Sequence, residues 1–204
     1  MLIPESLVAK MHATSGTILV ISGPSGVGKS TICRRLCDAL PAEFSVSVTT
    51  RPPRPGEVDG HDYRFIDDAA FDRMLADHGL VEHAEVYGKR YGTPAGPVQR
   101  ALAEGRTIIL EIDINGAIQV RRAYPSATMV FLLPPTPEEQ ARRILGRRTD
   151  SQAEIAKRLA KADGEIRYAQ ESGAYDRFLI NDDMDQTVAD IKALLNSQAL
   201  EIRE

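Results

Sequence analysis

The chain has 204 residues, room for one domain with an insertion and for a core that needs no disulfide staples. Its 25 basic and 29 acidic side chains leave a net charge of −4, which argues against a protein that coats nucleic acid. It has no Trp and 5% aromatics, which argues against a stacking platform for single strands, and no apolar run approaches the ~18 residues that span a bilayer.

The elements are read in chain order. Residues 1–15 are expected to form a loose tail, and Met11 is a second candidate start. Pro4 and Glu5 stand where an export signal needs its apolar core, so the expected location is the cytoplasm. Thr17–Ser22 (TILVIS) is a continuous apolar run of the kind that forms a buried parallel strand. Glycine-rich residues follow, then a helix from Lys29 to Leu40, stopped by Pro41. Cys33 and Cys37 are four apart on that helix and read as small core-facing residues; they form no redox pair. The four His supply no ligand spacing for a structural zinc.

Phe44–Val48 reads as a second strand, and the Pro- and Gly-rich stretch 49–62 as a loop. Tyr63–Ile66, Val81–Val86 and Tyr87–Tyr91 read as short strands around a small helix, Ala69–Asp77. This hairpin-rich texture marks residues 47–93 as an inserted subdomain. The alternation then resumes with helix Pro94–Glu104, strand Thr107–Ile112, helix Asn115–Ala123 and strand Ala127–Leu133. Thr136 has the form of an N-cap with Pro137 in the first turn, and Ser151 with Glu154 repeats a capping box that opens a long helix toward Gly173. Strand Phe178–Ile180 and helix Thr187–Leu195 close the chain. Apolar strands alternating with helices predict an α/β fold, a parallel sheet covered by helices on both faces.

Two features carry chemistry. Gly23-Pro24-Ser25-Gly26-Val27-Gly28-Lys29-Ser30 matches G-x-x-x-x-G-K-[ST] between a strand and a helix. Glycines let backbone N–H groups converge on phosphate oxygens, and the helix N-terminus adds positive potential. Lys29 then reaches the terminal phosphates, and the Ser30 hydroxyl holds Mg²⁺. Thr31 extends this ATP-binding run. Separately, Arg51 and Arg54 lie in a Pro-stiffened segment, and paired Arg forks suit a second anionic group.

With the strings SVTTRPPRPGEVDGHDYRF, VEHAEVYGKRYGTP, LEIDINGA, GRRTDS and INDD, the chain resembles the guanylate kinases from about Thr17 to Asn196. The resemblance implies a P-loop NTPase-type core (16–46, 94–135 and 157–196), a mixed α+β GMP-binding insertion (47–93), a helical lid (136–156) and a C-terminal tail (197–204). It implies that Arg51, Arg54, Tyr63 and Tyr91 hold the phosphate of GMP, and that Ser47, Glu82, Thr93 and Asp113 read guanine. A carboxylate such as Glu82 accepts both donors of guanine's Watson–Crick edge, a pair adenine lacks. Glu111 stands where the family usually has Asp.

Residues 142–148 carry four Arg in seven positions. The resemblance makes Arg143 and Arg147 lid arginines that act on the transferring phosphoryl group. It makes Arg158 a further phosphate-facing arginine and Asn181 a contact to the adenine of ATP. Arg148 replaces the usual Gly of the lid motif. The implied reaction moves the γ-phosphoryl group of Mg·ATP to GMP or dGMP, with ATP and GMP as the only partners implied. The alternatives are a related phosphate-loop kinase of another phosphorylated acceptor, and a non-catalytic binding module.

Overall fold

The structure is a computed structural model that describes residues 16–86, 88–145 and 152–201. Side chains are described for these except at 144–145, 152–160 and 198–201. The expected tail 1–15 lies outside the described residues.

The elements are β1 (Thr17–Ser22), α1 (Lys29–Ala39), β2 (Ala42–Phe44), β3 (Val48–Thr49), β4 (Arg64–Phe65), α2 (Asp68–Ala76), β5 (Leu80–Val86), β6 (Lys89–Pro94), α3 (Ala95–Ala103), β7 (Thr107–Glu111), α4 (Ile114–Ala123), β8 (Thr128–Leu133), α5 (Pro137–Leu145), α6 (Gln152–Ser172), β9 (Arg177–Ile180) and α7 (Met184–Glu201). One sheet has the order β2-β7-β1-β8-β9, the other β4-β3-β6-β5. In the first, β2 runs parallel to β7 and β8 parallel to β9. Ile18–Ile21, Ile108–Leu110 and Met129–Leu132 are buried, as continuous apolar strands in a helix-flanked parallel sheet must be. The fold class is the α/β fold expected.

The chain divides into two compact units. One takes the residues up to Leu19, Pro41–Leu110 and Asn115–Ala127; the other takes Val20–Leu40, Glu111–Ile114 and Thr128 onward. In the first unit, the hairpin β5–β6 pairs antiparallel, with β3 on the far side of β6. In the second, α1 buries Ile32, Cys33 and Leu36, and α1 packs against α7. Cys33 is buried, and its thiol is pushed well above its ordinary pKa, first by burial and then by Glu111. Cys37 is only half-buried. No described helix is long and apolar enough to cross a membrane.

Several boundaries differ from the sequence expectation. The single strand expected at Phe44–Val48 is two strands in two sheets. Ser45 still donates its N–H to Ile109 O at 3.0 Å beside β7, and by Val48 the chain pairs with β6. A short apolar run shows that a strand is present but carries no sign of a change of sheet. The C-terminal helix starts at Met184, three residues early, because Asp183 Oδ1 accepts the N–H groups of Asp185 (2.8 Å) and Gln186 (3.1 Å) and caps it. It runs on to Glu201, since neither Gly nor Pro follows Leu195. The strand expected to end at Tyr91 continues to Pro94, and α3 starts one residue later than expected. Thr136 caps α5 as expected, accepting the N–H of Glu139 at 3.1 Å.

Candidate active site

The phosphate loop leaves β1 and ends on α1. Three of its glycines sit at positive φ: Gly23 at 150°, Gly26 at 80° and Gly28 at 102°. A Cβ on Gly23 would lie 2.6 Å from Leu132 O, and one on Gly28 would lie 2.7 Å from Asn181 Nδ2. Conformation and space therefore both demand glycine there. No side chain caps the N-terminus of α1 and no acidic residue lies in its first turn, so the end is suited to an anion.

Much of the loop's carbonyl array is held by side chains, from Lys29 within the loop and from two amides outside it. Lys29 Nζ donates to Gly23 O (2.7 Å) and Pro24 O (3.1 Å). Gln140 Nε2, from the buried side of α5, donates to Ser25 O at 3.0 Å. Asn181 Nδ2 donates to Val27 O at 2.8 Å. With those carbonyls pinned, the loop is pre-organised to turn N–H groups inward as an anion nest. Ser30 Oγ donates to Glu111 Oε1 at 2.9 Å, so the longer side chain of Glu reaches the loop serine directly. Asp113 is exposed in the turn after β7.

Arg143 lies on the same unit. Its Nε donates to Glu139 Oε1 at 2.7 Å and its Nη1 to Asn181 O at 3.0 Å. Glu139 also pairs with Arg142, and its carboxyl is held below the ordinary value, first by Arg143 and then by Arg142. Arg147 and Arg148 lie outside the described residues. Arg158 lies on α6, and its side chain is outside the described set.

The other unit carries the second set. Glu82 on β5 faces Thr93 on β6 in register, and Thr93 Oγ1 donates to Glu82 Oε1 at 2.6 Å. Both are buried, Glu82 to 5% exposure. A carboxylate taken that far from water demands hydrogen-bond donors. Gly116 on α4 lies against it: a Cβ there would come within 2.4 Å of Glu82 Oε2. In the same unit, the rings of Tyr63 and Tyr91 meet edge-on at 5.9 Å, with the Arg51 guanidinium 5.5 Å from the Tyr63 ring centroid. The Arg51 pKa is raised first by Glu57, against burial, with a smaller contribution from Tyr91. Ser47 O accepts from Arg64 N at 2.9 Å. Arg54 is exposed.

Glu57 organises this cluster. It accepts Arg51 Nη1 (3.0 Å) and Nη2 (2.8 Å) as a fork and takes the Arg54 N–H at 2.7 Å. The Arg51 hydrogen bond holds the Glu57 carboxyl below its ordinary 4.5, against a smaller opposing effect of burial. A carboxylate with a lowered folded pKa contributes stability that is present above its unfolded pKa and lost as pH falls through the folded one. Glu57→Gln is therefore expected to lower Tm at neutral pH and to flatten its decline below about pH 4.5. Thermal unfolding of both proteins across the acid range checks this; parallel Tm curves for the two would contradict it.

The family model described as guanylate kinase matches residues 15–198. The chain belongs to the guanylate kinase family. The guanylate kinase of Thermobifida fusca is 49% identical over 179 residues, covering 87% of this chain and 90% of that protein. That of a Thermus thermophilus strain is 44% identical over 188 residues, covering 92% and 83%. A crystal structure of guanylate kinase from Anaplasma phagocytophilum superposes with a TM-score of 0.74 at 33% identity, covering 91% of this chain and 87% of that one.

The site residues expected of a guanylate kinase fall into two groups by unit. Gly23 to Thr31, Glu111, Asp113, Arg143 and Asn181 share one unit, and Ser47, Arg51, Arg54, Tyr63, Glu82, Tyr91 and Thr93 the other. Asn181, which the resemblance places against adenine, is fully buried, with Nδ2 on Val27 O and Oδ1 accepting the Thr187 hydroxyl at 3.1 Å. It braces the phosphate loop from behind. Sequence reasoning missed Glu57, Gln140, Gly116 and Thr187. Of these, Glu57 alone left a sequence signal, an acid within six residues of two Pro-flanked Arg.

Proposed function

We infer that the chain transfers the γ-phosphoryl group of ATP to GMP, giving ADP and GDP. The observation that carries this is the buried Glu82–Thr93 pair, a carboxylate shaped for guanine, in a chain that also carries a complete phosphate loop. ATP takes the loop 23–30, with Lys29 leaving the carbonyls of Gly23 and Pro24 for the β- and γ-phosphates. GMP takes the unit of Glu82. Arg51, Arg54, Tyr63 and Tyr91 hold its phosphate, and Ser47, Glu82 and Thr93, with Asp113, read its base. The insertion 47–93 is the GMP-binding part and 136–156 the lid.

A GMP phosphate oxygen attacks the γ-phosphorus, and the bond from that phosphorus to the β,γ-bridging oxygen breaks. A phosphate monoester with a second pKa of about 6 is already mostly dianionic at neutral pH, so no base has to remove a proton. The residues therefore position the two groups and neutralise charge on the equatorial oxygens. Arg143 and Arg147 supply that charge from the lid, and Arg158 from the helix that follows it. Arg143 is already anchored on Asn181 O, and Asn181 braces the loop.

Ser30 and Glu111 present a hydroxyl and a carboxylate oxygen 2.9 Å apart beside the loop. Hard oxygen donors of this kind, few in number, suit Mg²⁺, which takes its other ligands from phosphates and water. Ser30 and Glu111 would hold the ion, which would supply positive charge against the phosphates.

ADP release with a panel of nucleoside monophosphates tests the reading. Turnover with GMP and dGMP, and little with AMP, CMP or UMP, is expected. Comparable turnover with AMP, or none with any of them, would contradict it.

A further inference from the structure

The mechanism leaves unused one contact beside Glu82. Strand β5 is the edge of its sheet, so every second residue presents an N–H and a C=O outward. At His83, directly after Glu82, both groups are taken by a single side chain from α4. Gln119 Oε1 accepts His83 N–H at 3.2 Å, and Gln119 Nε2 donates to His83 O at 2.8 Å. The amide takes the place of the next strand's peptide. Nε2 also lies 3.2 Å from Asn115 O, one turn back on its own helix, which orients the amide plane.

Gly116 stands three residues before Gln119 and so on the same helix face. It is the residue whose missing Cβ makes room for Glu82 Oε2. One face of α4 thus fixes two coordinates at once. The Gln119 clamp sets where β5 sits along the helix, and Gly116 sets how closely the Glu82 carboxylate approaches. Thr93 holds the carboxylate from the third side, at 2.6 Å. A carboxylate that must accept two adjacent base donors together tolerates little displacement.

We propose that Gln119 is a positioning residue for nucleobase selectivity. By clamping the backbone of His83 to α4, it holds the Glu82 carboxylate where it accepts both guanine donors. This rests on the reading of Glu82 as the guanine-reading group. Gln119 touches neither nucleotide and acts through the strand.

The test is a double-mutant cycle on selectivity between GMP and IMP, which keeps the ring N–H of guanine and lacks its amino group. Gln119→Met keeps the length of the side chain and removes both hydrogen bonds. It is expected to lower kcat/KM for GMP about tenfold, as two backbone hydrogen bonds are lost, and to cut the GMP-to-IMP ratio by a similar factor. The KM for ATP should stay within about twofold. Gln119→Glu, which keeps the acceptor and loses the donor, should fall between, and it serves if the Met variant does not fold. In a Glu82→Gln background, Gln119→Met should change the ratio no further.

An unchanged GMP-to-IMP ratio in Gln119→Met, or the same drop in both backgrounds, would overturn the proposal while leaving the role of Glu82 standing. A Glu82→Gln variant that keeps full selectivity would overturn the role of Glu82 and the proposal with it.

Discussion

Lys29→Met is expected to lower kcat about 10³-fold while the protein stays folded. The Lys29 ammonium is half-buried and bridges Gly23 O and Pro24 O at 2.7 and 3.1 Å. Those bonds contribute on the order of 1 kcal/mol each to the fold, and Asn181 and Gln140 continue to hold the loop from the other side. The catalytic loss is larger. The transferring group passes through a loose state with charge on its equatorial oxygens, and a positioned donor aimed at such charge contributes about 3–4 kcal/mol, or 10²–10³ in rate. A full positive charge on the γ-phosphate belongs at the upper end of that range. Steady-state ADP formation, with Tm as the control for folding, checks it. Turnover within tenfold of the unmodified protein would remove Lys29 from the mechanism.

Glu82→Gln is expected to fall almost wholly on GMP. Glu82 is 5% exposed, and its carboxylate already accepts a hydrogen bond from Thr93. Exchanging one oxygen for an NH₂ leaves a donor facing a guanine donor in a place with little water. Unpaired polar groups in such a site cost up to about 10⁴–10⁵ in discrimination, and a partly compensated swap costs less, so kcat/KM for GMP should drop about 10³-fold. The KM for ATP should stay within about threefold, since the loop lies on the other unit. Steady-state kinetics with each nucleotide varied in turn separates the two. Equal losses for GMP and ATP would show that Glu82 holds the fold and not the base.

What was legible in the sequence is what is local. The phosphate loop needs its glycines at fixed spacing, and the positive φ values of Gly23, Gly26 and Gly28 answer the G-x-x-x-x-G-K-[ST] pattern directly. Continuous apolar runs such as TIILE and TMVFLL became strands with buried centres. The carboxylate of Glu82 was legible through its family strings and lies buried in a cross-strand pair.

What stayed hidden depends on residues far apart in the chain. Asn181 and Val27 are 154 residues apart, and Gln140 and Ser25 are 115 apart. Nothing in INDD or PEEQARR shows that those amides turn inward. At Asn181 a residue type that suits adenine contact also suits bracing a carbonyl, and its bond to Val27 O is invisible in the sequence. The same holds for Gln119, a polar residue on a helix that reads as a solvated face until the edge strand is set beside it. The Asp183 cap, by contrast, was present in the sequence two residues after Asn181, and the helix start at Met184 was readable from cap chemistry.

One chain moves a phosphoryl group between two nucleotides. Incubation with ATP labelled in its γ-phosphate, Mg²⁺ and GMP, followed by separation of the products, tests this. Label is expected in the β-position of GDP, in a one-to-one ratio with the ADP formed. Label released only as inorganic phosphate, with no GDP, would contradict it.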